Sequence, residues 1–229
     1  MIAAGSDTAE PFGAIERLAE GDLGVLGMAT DADGDVFAAV FSSNPEVNGV
    51  WGFEAGSGSA ERVAGTQAVA MPNSVILGPD GELYVTDTIT GGMWVVPEGG
   101  AAEPWLVDPL LEGNGAAGFP FPIGTNGIDV HDGAVYVGVT EQGSLVRVPI
   151  EADGSAGTPE VVAQMEGVVV DVITVDDEGT TYIADPMAND VVSVDAAGAW
   201  EFMGLEGLDG STSVDLGVDV AGNPALFVA

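Results

Sequence analysis

The chain has 229 residues, 37 of them acidic and 3 basic, which gives a formal charge of −34, and it has no cysteine. Nucleic acid and anionic membrane surfaces are excluded as partners, because both need clustered Lys or Arg and the basic residues are Arg17, Arg62 and Arg147 alone. Disulfides and thiolate-bound zinc are ruled out, no apolar run approaches the roughly 20 residues that span a bilayer, and an apolar fraction of 46% argues against disorder.

Such a charge opposes compaction in dilute salt through self-repulsion. At molar salt the Debye length falls to about 3 Å, and most of that repulsion is screened. Loss of every lysine alongside 37 acids points to a protein adapted to a high-salt environment, with an ordinary acidic secreted protein as the alternative.

Along the chain one unit recurs: an apolar strand, a tight turn with glycine, and a second strand carrying an aromatic. It is read at Met28–Phe37, Val75–Asp87, Ile128–Tyr136, Ile173–Tyr182 and, more loosely, Leu216–Phe227. Asp-Gly between apolar runs is a strong hairpin signal, since glycine accepts the positive φ of a tight turn. The turn glycines Gly34, Gly81, Gly133, Gly179 and Gly222 are spaced 47, 52, 46 and 43 residues apart. That period fits a four-stranded propeller blade.

Third strands follow around Trp51, Trp94, Val146 and Val192, and fourth strands are read at 60–64, 103–107, 159–163 and 200–204. The last repeat stops at Ala229 after two strands, while Ala14-Ile-Glu-Arg-Leu-Ala19 echoes Ala60-Glu-Arg-Val-Ala64. The expectation is therefore a single all-β domain over residues 1–229. It is a five-bladed propeller (six is the alternative count) whose ring is closed by the N-terminal strand at about 14–19 in the last blade. Residues 1–6 are a weaker candidate for the remaining strand. The aromatics Phe37, Tyr84, Tyr136, Tyr182 and Phe227 recur once per repeat and are expected to pack between blades.

Just ahead of each first strand, seven or eight residues before the turn glycine, stand Leu26, Asn73, Asn126, Asp171 and Val214. First strands line a propeller's channel, so these five side chains are expected to converge at one end of it. Asp171 sits inside Val168-Val-Val-Asp-Val-Ile-Thr-Val175, apolar on both faces. A carboxylate there is costly unless it is protonated, hydrogen-bonded or metal-bound. Two amides and a carboxylate are hard oxygen donors of the kind calcium accepts, and so sparse a set leaves open positions for water or substrate. The alternative is that Asn73 and Asn126 cap strand ends by bonding backbone groups, with Asp171 satisfied in the same way.

At these residues the sequence resembles the SMP-30/gluconolactonase-like family of calcium-dependent propellers. The likeness lies in Pro72–Asp87, Gly124–Asp129, Gly143–Pro149 and Asp171–Gly179, and it overlaps with the broader NHL-type propellers. It implies a Ca2+-dependent lactonase, esterase or phosphotriesterase acting on a small-molecule substrate. Asn126 and Asp171 match family metal ligands, Asn73 matches an asparagine that contacts metal or substrate, and Asp171 would assist attack by water. Two departures stand out: Leu26 occupies the place of the family's first-blade glutamate, with Glu20 or Asp22 as candidate substitutes, and family members usually have six blades. A non-catalytic NHL-like binding or structural module is the rival reading.

The insert 109–121 is the longest interruption of the repeat, and its Phe119 and Phe121 are candidates for a substrate wall over the channel mouth. The single histidine, His131, falls in a hairpin turn away from the ring of polar residues, which argues against histidine-ligated zinc and a serine–histidine triad. Asp87 and Asp185 end second strands and are expected to cap the following turns.

Overall fold

The structure, a computed structural model, describes residues 12–15, 22–116 and 118–229. Its strands fall into five antiparallel sheets, each following chain order outward from an inner strand. The first contains β1 (Gly24–Thr30), β2 (Val36–Phe41), β3 (Gly49–Phe53) and β4 (Ala60–Arg62). The second contains β5 (Pro72–Leu77), β6 (Leu83–Asp87), β7 (Gly92–Val96) and β8 (Glu103–Val107). The third contains β9 (Thr125–His131), β10 (Ala134–Val139), β11 (Ser144–Pro149) and β12 (Glu160–Gln164). The fourth contains β13 (Ile173–Val175), β14 (Thr181–Asp185), β15 (Asp190–Val194) and β16 (Trp200–Phe202). The fifth has only β17 (Val214–Val218) and β18 (Pro224–Val228).

Inner strands β1, β5, β9, β13 and β17 touch in succession, and residues from all five surround a central channel. This is a β-propeller of four-stranded blades. The expected count needs correction: among the described residues there are four complete blades and one two-stranded sheet, not five or six blades. Of the segment expected to close the ring, Ala14 and Ile15 are described and are not in a strand. Residues 16–19 and 1–6 lie outside the described residues. Phe12 and Ile15 pack on the first blade, against the cluster of Ala38, Val40, Val47 and Phe53.

The hairpins form where the turn chemistry demands. Gly81 takes φ 83° and donates its N–H to the Gly78 carbonyl at 3.3 Å, while Gly78 donates to Glu82 at 2.8 Å. The first four repeat aromatics pack on the blade that follows. Phe37 joins Val75 and Val85 of the second blade. Tyr84 joins Ile128 and Val135 of the third, Tyr136 joins Ile173 and Ile183 of the fourth, and Tyr182 joins Val214 and Leu226 of the last sheet. Phe227, in that last sheet, is 53% exposed. Burial of an aromatic at each of these four junctions contributes roughly 25 cal/mol per Å² of apolar surface removed from water.

Candidate functional site

At the ring positions the inner strands are irregular, and the irregularity aims the side chains. The β1–β2 register shifts between Val25 and Gly27, around Leu26. The β5–β6 register shifts between Pro72 and Val75, around Asn73. The β9–β10 register breaks between Thr125 and Ile128, around Asn126. In the fourth blade Asp171 N–H donates to the Ala184 carbonyl at 3.1 Å and Ala184 N–H donates to Val172 at 3.0 Å, two residues against one. Bulges of this kind re-aim a side chain out of the alternating pattern.

The result is a cavity of about 690 Å³ at one end of the channel, lined by Leu26, Asn73, Asn126 and Asp171 among others. Four of the five expected ring residues therefore meet. Val214 does not join them: it is buried and lines the next stretch of the channel, while its neighbour Asp215 lines both. Phe119 and Phe121 are not in the cavity wall; Phe119 is exposed and Phe121 half-buried. The insert holds them elsewhere because it is fastened to the third blade, with Gln142 Nε2 donating to the Pro109 and Glu112 carbonyls at 3.2 and 2.7 Å.

Asp22, the candidate substitute for a first-blade glutamate, is not in the cavity wall. Its carboxylate accepts from the Ser42 hydroxyl and from the Ser43 N–H and hydroxyl, both at 2.9 Å, which ties the lead into β1 to the β2–β3 loop. Glu20 lies outside the described residues. His131, half-buried at the far end of β9, touches Tyr136 and stays away from the cavity.

The electrostatics of the ring are unusual for so acidic a chain. Burial pushes the Asp171 carboxyl up to about 6, partly offset by hydrogen bonding to Asn126. Asn126 donates Nδ2 to the Thr140 hydroxyl at 3.0 Å, a side-chain partner rather than the strand-end backbone group that a capping role requires. Its Oδ1 is buried with no hydrogen-bond partner. A buried amide oxygen left unpaired costs about 1–3 kcal/mol, and a cation or a ligand donor would relieve it. Among the described residues no three His, Cys, Asp or Glu side chains cluster as a metal-binding group. A cation here would therefore depend on amide and carboxylate oxygens together.

Several residues that sequence reasoning missed shape the site. Asp129 lies further along the channel, in a second cavity of about 400 Å³ with Asp215, Thr174 and Ser74. Burial raises its carboxyl; N–H groups of Val175 and Val130 and the Thr174 hydroxyl hold it back, and the Asp215 charge adds to the rise. Alternation counted from Asn126 puts Asp129 on the opposite face, and the register break between Thr125 and Ile128 carries it into the channel. Asp87 and Asp185 do cap their turns: Asp87 accepts from Thr90 at 3.5 Å, and Asp185 from Met187 and Ala188 at 3.0 Å. They also reach back to the segment ahead of the inner strand. Asp87 accepts from Ala70 and Met71 at 2.8 and 3.1 Å, and Asp185 accepts from Val169 at 3.3 Å. Each buried carboxylate thus fixes the backbone leading to its own blade's ring residue.

No protein-family model matches the chain, and no curated protein matches it. Solved structures do. A gluconolactonase from Xanthomonas campestris is 17% identical, with TM-score 0.64 over 88% of this chain and 67% of that one. A catalytically inactive virginiamycin B lyase from Staphylococcus aureus, crystallised with quinupristin, is 13% identical, with TM-score 0.63 over 92% and 71%. A chain of the nidogen/laminin complex is 18% identical, with TM-score 0.62 over 83% and 67%. What they share with this chain is the propeller. Among the described residues no helix is long and apolar enough to cross a membrane.

Proposed function

We propose that this propeller is a hydrolase of the lactonase or esterase type that holds a calcium ion at the mouth of its channel and acts on a small-molecule substrate. The observation that carries the reading is the pairing of an unpartnered buried amide oxygen on Asn126 with a carboxylate, Asp171, that has no cationic neighbour in the same cavity. The donor set fits a hard cation: Asp171, Asn126 and Asn73 offer only oxygen ligands, and neither cysteine nor His131 is present to favour zinc. One or two carboxylates make a low-charge site, so the expected affinity is weak, on the order of 10⁻⁴ M. A gluconolactonase is among the propellers similar to this chain, so this class of activity is one the fold accommodates.

When bound, such an ion would polarise a substrate carbonyl. The protein's own part follows from its side chains. Asp171 takes a proton from the attacking water at its carboxylate. Asn126 and Asn73 hold the substrate or ion from the neighbouring blades, and Leu26 supplies an apolar wall. A non-catalytic binding module remains the second reading, favoured by that same Leu26, which adds no ligand where the family resemblance calls for a glutamate.

The test is a calorimetric titration of calcium into chelator-treated protein in molar KCl, beside Asp171→Ala and Asn126→Ala, followed by a screen of lactones and phosphotriesters. Binding near one equivalent that disappears in both variants, with hydrolysis that follows the metal, is the expected result. Equal heats from all three proteins would overturn the metal site. Binding without turnover would favour the module.

A further inference from the structure

We infer that Thr140 is the positioning residue of this site, fixing which way the Asn126 amide points and tying Asn126 to the segment that carries Asp171. The inference rests on the reading of Asn126 and Asp171 as cation ligands. Thr140 stands at the end of β10 and is 4% exposed. Its hydroxyl donates to the Val170 carbonyl at 2.8 Å and accepts from Asn126 Nδ2 at 3.0 Å. A hydroxyl has one proton, so once that proton goes to Val170 the oxygen can only accept. Asn126 must then turn its nitrogen to Thr140, which leaves Oδ1 on the other arm of the amide, buried and unpaired. The two ends of an amide are nearly equal in shape, and the Asp171 carboxylate also draws the nitrogen. Thr140 is the acceptor that keeps this orientation when the carboxylate is engaged by a cation.

The same device occurs one blade earlier without the amide contact. Thr88 follows Gly81 by seven residues, as Thr140 follows Gly133, and its hydroxyl donates to the Thr125 carbonyl at 2.7 Å. Thr125 precedes Asn126 as Val170 precedes Asp171. Both threonines therefore latch the end of one blade's second strand to the next blade's backbone, immediately ahead of a candidate ligand. The equivalent residue in the fourth blade is Pro186, which has no hydroxyl, and the next ring position there is the apolar Val214. Thr88→Val thus removes a latch alone, whereas Thr140→Val removes a latch together with the acceptor that orients Asn126. Thr140→Ser keeps both.

The experiment uses the full chain in molar KCl, with two readouts. In the chelator-treated state, the side-chain amide protons of Asn126 are followed by 15N NMR. A resolved, slowly exchanging pair is expected in the wild type, Thr140→Ser and Thr88→Val, and its loss in Thr140→Val. By calorimetry, calcium affinity should fall at least about tenfold in Thr140→Val, the usual cost of losing a group that orients a ligand, and within about threefold in the other two variants. Equal weakening by Thr140→Val and Thr88→Val would make Thr140 an ordinary inter-blade latch, and a protected Asn126 amide in Thr140→Val would overturn the orientation argument outright. If the wild type takes up no calcium, the function proposed above fails, and the amide signal still decides whether Thr140 orients Asn126.

Discussion

Gly127 donates its N–H to the carbonyl of Asp171 at 3.2 Å, and a Cβ built at Gly127 would lie 2.5 Å from that same oxygen. The residue after one candidate ligand is thus in direct backbone contact with the next candidate ligand. The relationship repeats between the first and second blades, where a Cβ at Gly27 would lie 2.5 Å from the Asn73 carbonyl. Close approach of inner strands at this end of the channel draws the polar ring together, and only glycine allows it. Gly127→Ala should destabilise the fold by about 1–3 kcal/mol, the usual cost of overpacking a tight contact, and should displace Asp171 from Asn126. Thermal melts of the variant would show the loss. A melting temperature equal to the wild type would mean that β9 shifts away at no cost.

The Asp171 carboxyl makes stability depend on pH in a chelator-treated chain. Burial lifts it from 3.8 to about 6. Below about pH 4 the group is protonated whether the chain is folded or not. Between about 4 and 6 the unfolded chain ionises first, so stability falls as pH rises through this window and then levels off. The full shift corresponds to roughly 3 kcal/mol. Asp171→Asn removes the penalty: it should be more stable than the wild type by up to about that amount at pH 8 and nearly equal to it at pH 4. Denaturant midpoints at the two pH values measure the gap. A gap independent of pH would show that Asp171 does not titrate as a buried acid.

The blade architecture was legible because the turn glycines and repeat aromatics serve local and global ends at once. Asp80-Gly81 closes a hairpin and also sets the phase at which Tyr84 meets the next blade. The fourth strands were found for the same reason, with observed limits of 60–62, 103–107, 160–164 and 200–202. The ring of Leu26, Asn73, Asn126 and Asp171 could be read from its offset of seven or eight residues to those glycines. What resisted reading was non-local. That Val214 turns away and Asp215 turns in depends on how the two-stranded sheet sits against β13, and the reach of the 109–121 insert depends on Gln142, a residue with no repeat signature. Completeness of the last blade was equally out of reach, since pairing partners for β18 are not specified by the repeat itself.

Asp87 offers a separate test of how the ring is held. It is 1% exposed and accepts from Ala70 and Met71, three and two residues ahead of Asn73. Asp87→Ala leaves both N–H groups without their acceptor, and hydrogen bonds to a charged group are worth about 1.5–3 kcal/mol each. A loss of about 3 kcal/mol in denaturant unfolding is expected, with Asp87→Asn less affected because an amide oxygen can still accept one of the two. If Asp87→Ala unfolds at the wild-type midpoint, the carboxylate is dispensable and the segment before β5 is held by packing alone.

Leu26 lines the cavity with the three candidate ligands, so the departure from the family pattern can be reversed in place. Leu26→Glu adds a carboxylate to a low-charge oxygen site and should raise calcium affinity at least about tenfold, since ligand charge is a main determinant of calcium binding. Without calcium the same substitution should lower the melting temperature, because a further carboxylate then joins Asp171 and Asp215 in the cavity. Melting in chelator and in excess calcium separates the two effects. A variant that is destabilised equally in both conditions would place the new carboxylate outside any cation site.

The charge of −34 makes a prediction about the whole fold. With 37 acids against three arginines, pairing cannot neutralise the surface, and Arg62 spends its guanidinium on the Pro45 and Asn48 carbonyls at 2.8 and 3.3 Å. Self-repulsion is then relieved mainly by mobile counterions, whose screening length shortens from about 30 Å at 0.01 M to about 3 Å at 1 M salt. The melting temperature should climb steeply over that range in KCl and more slowly above it. Sucrose at matched osmolality, which stabilises by exclusion from the surface without screening charge, should give only a shallow rise. Equal responses to KCl and sucrose, or no response to KCl, would show that the acidic surface does not limit stability and that adaptation to high salt is the wrong reading of the missing lysines.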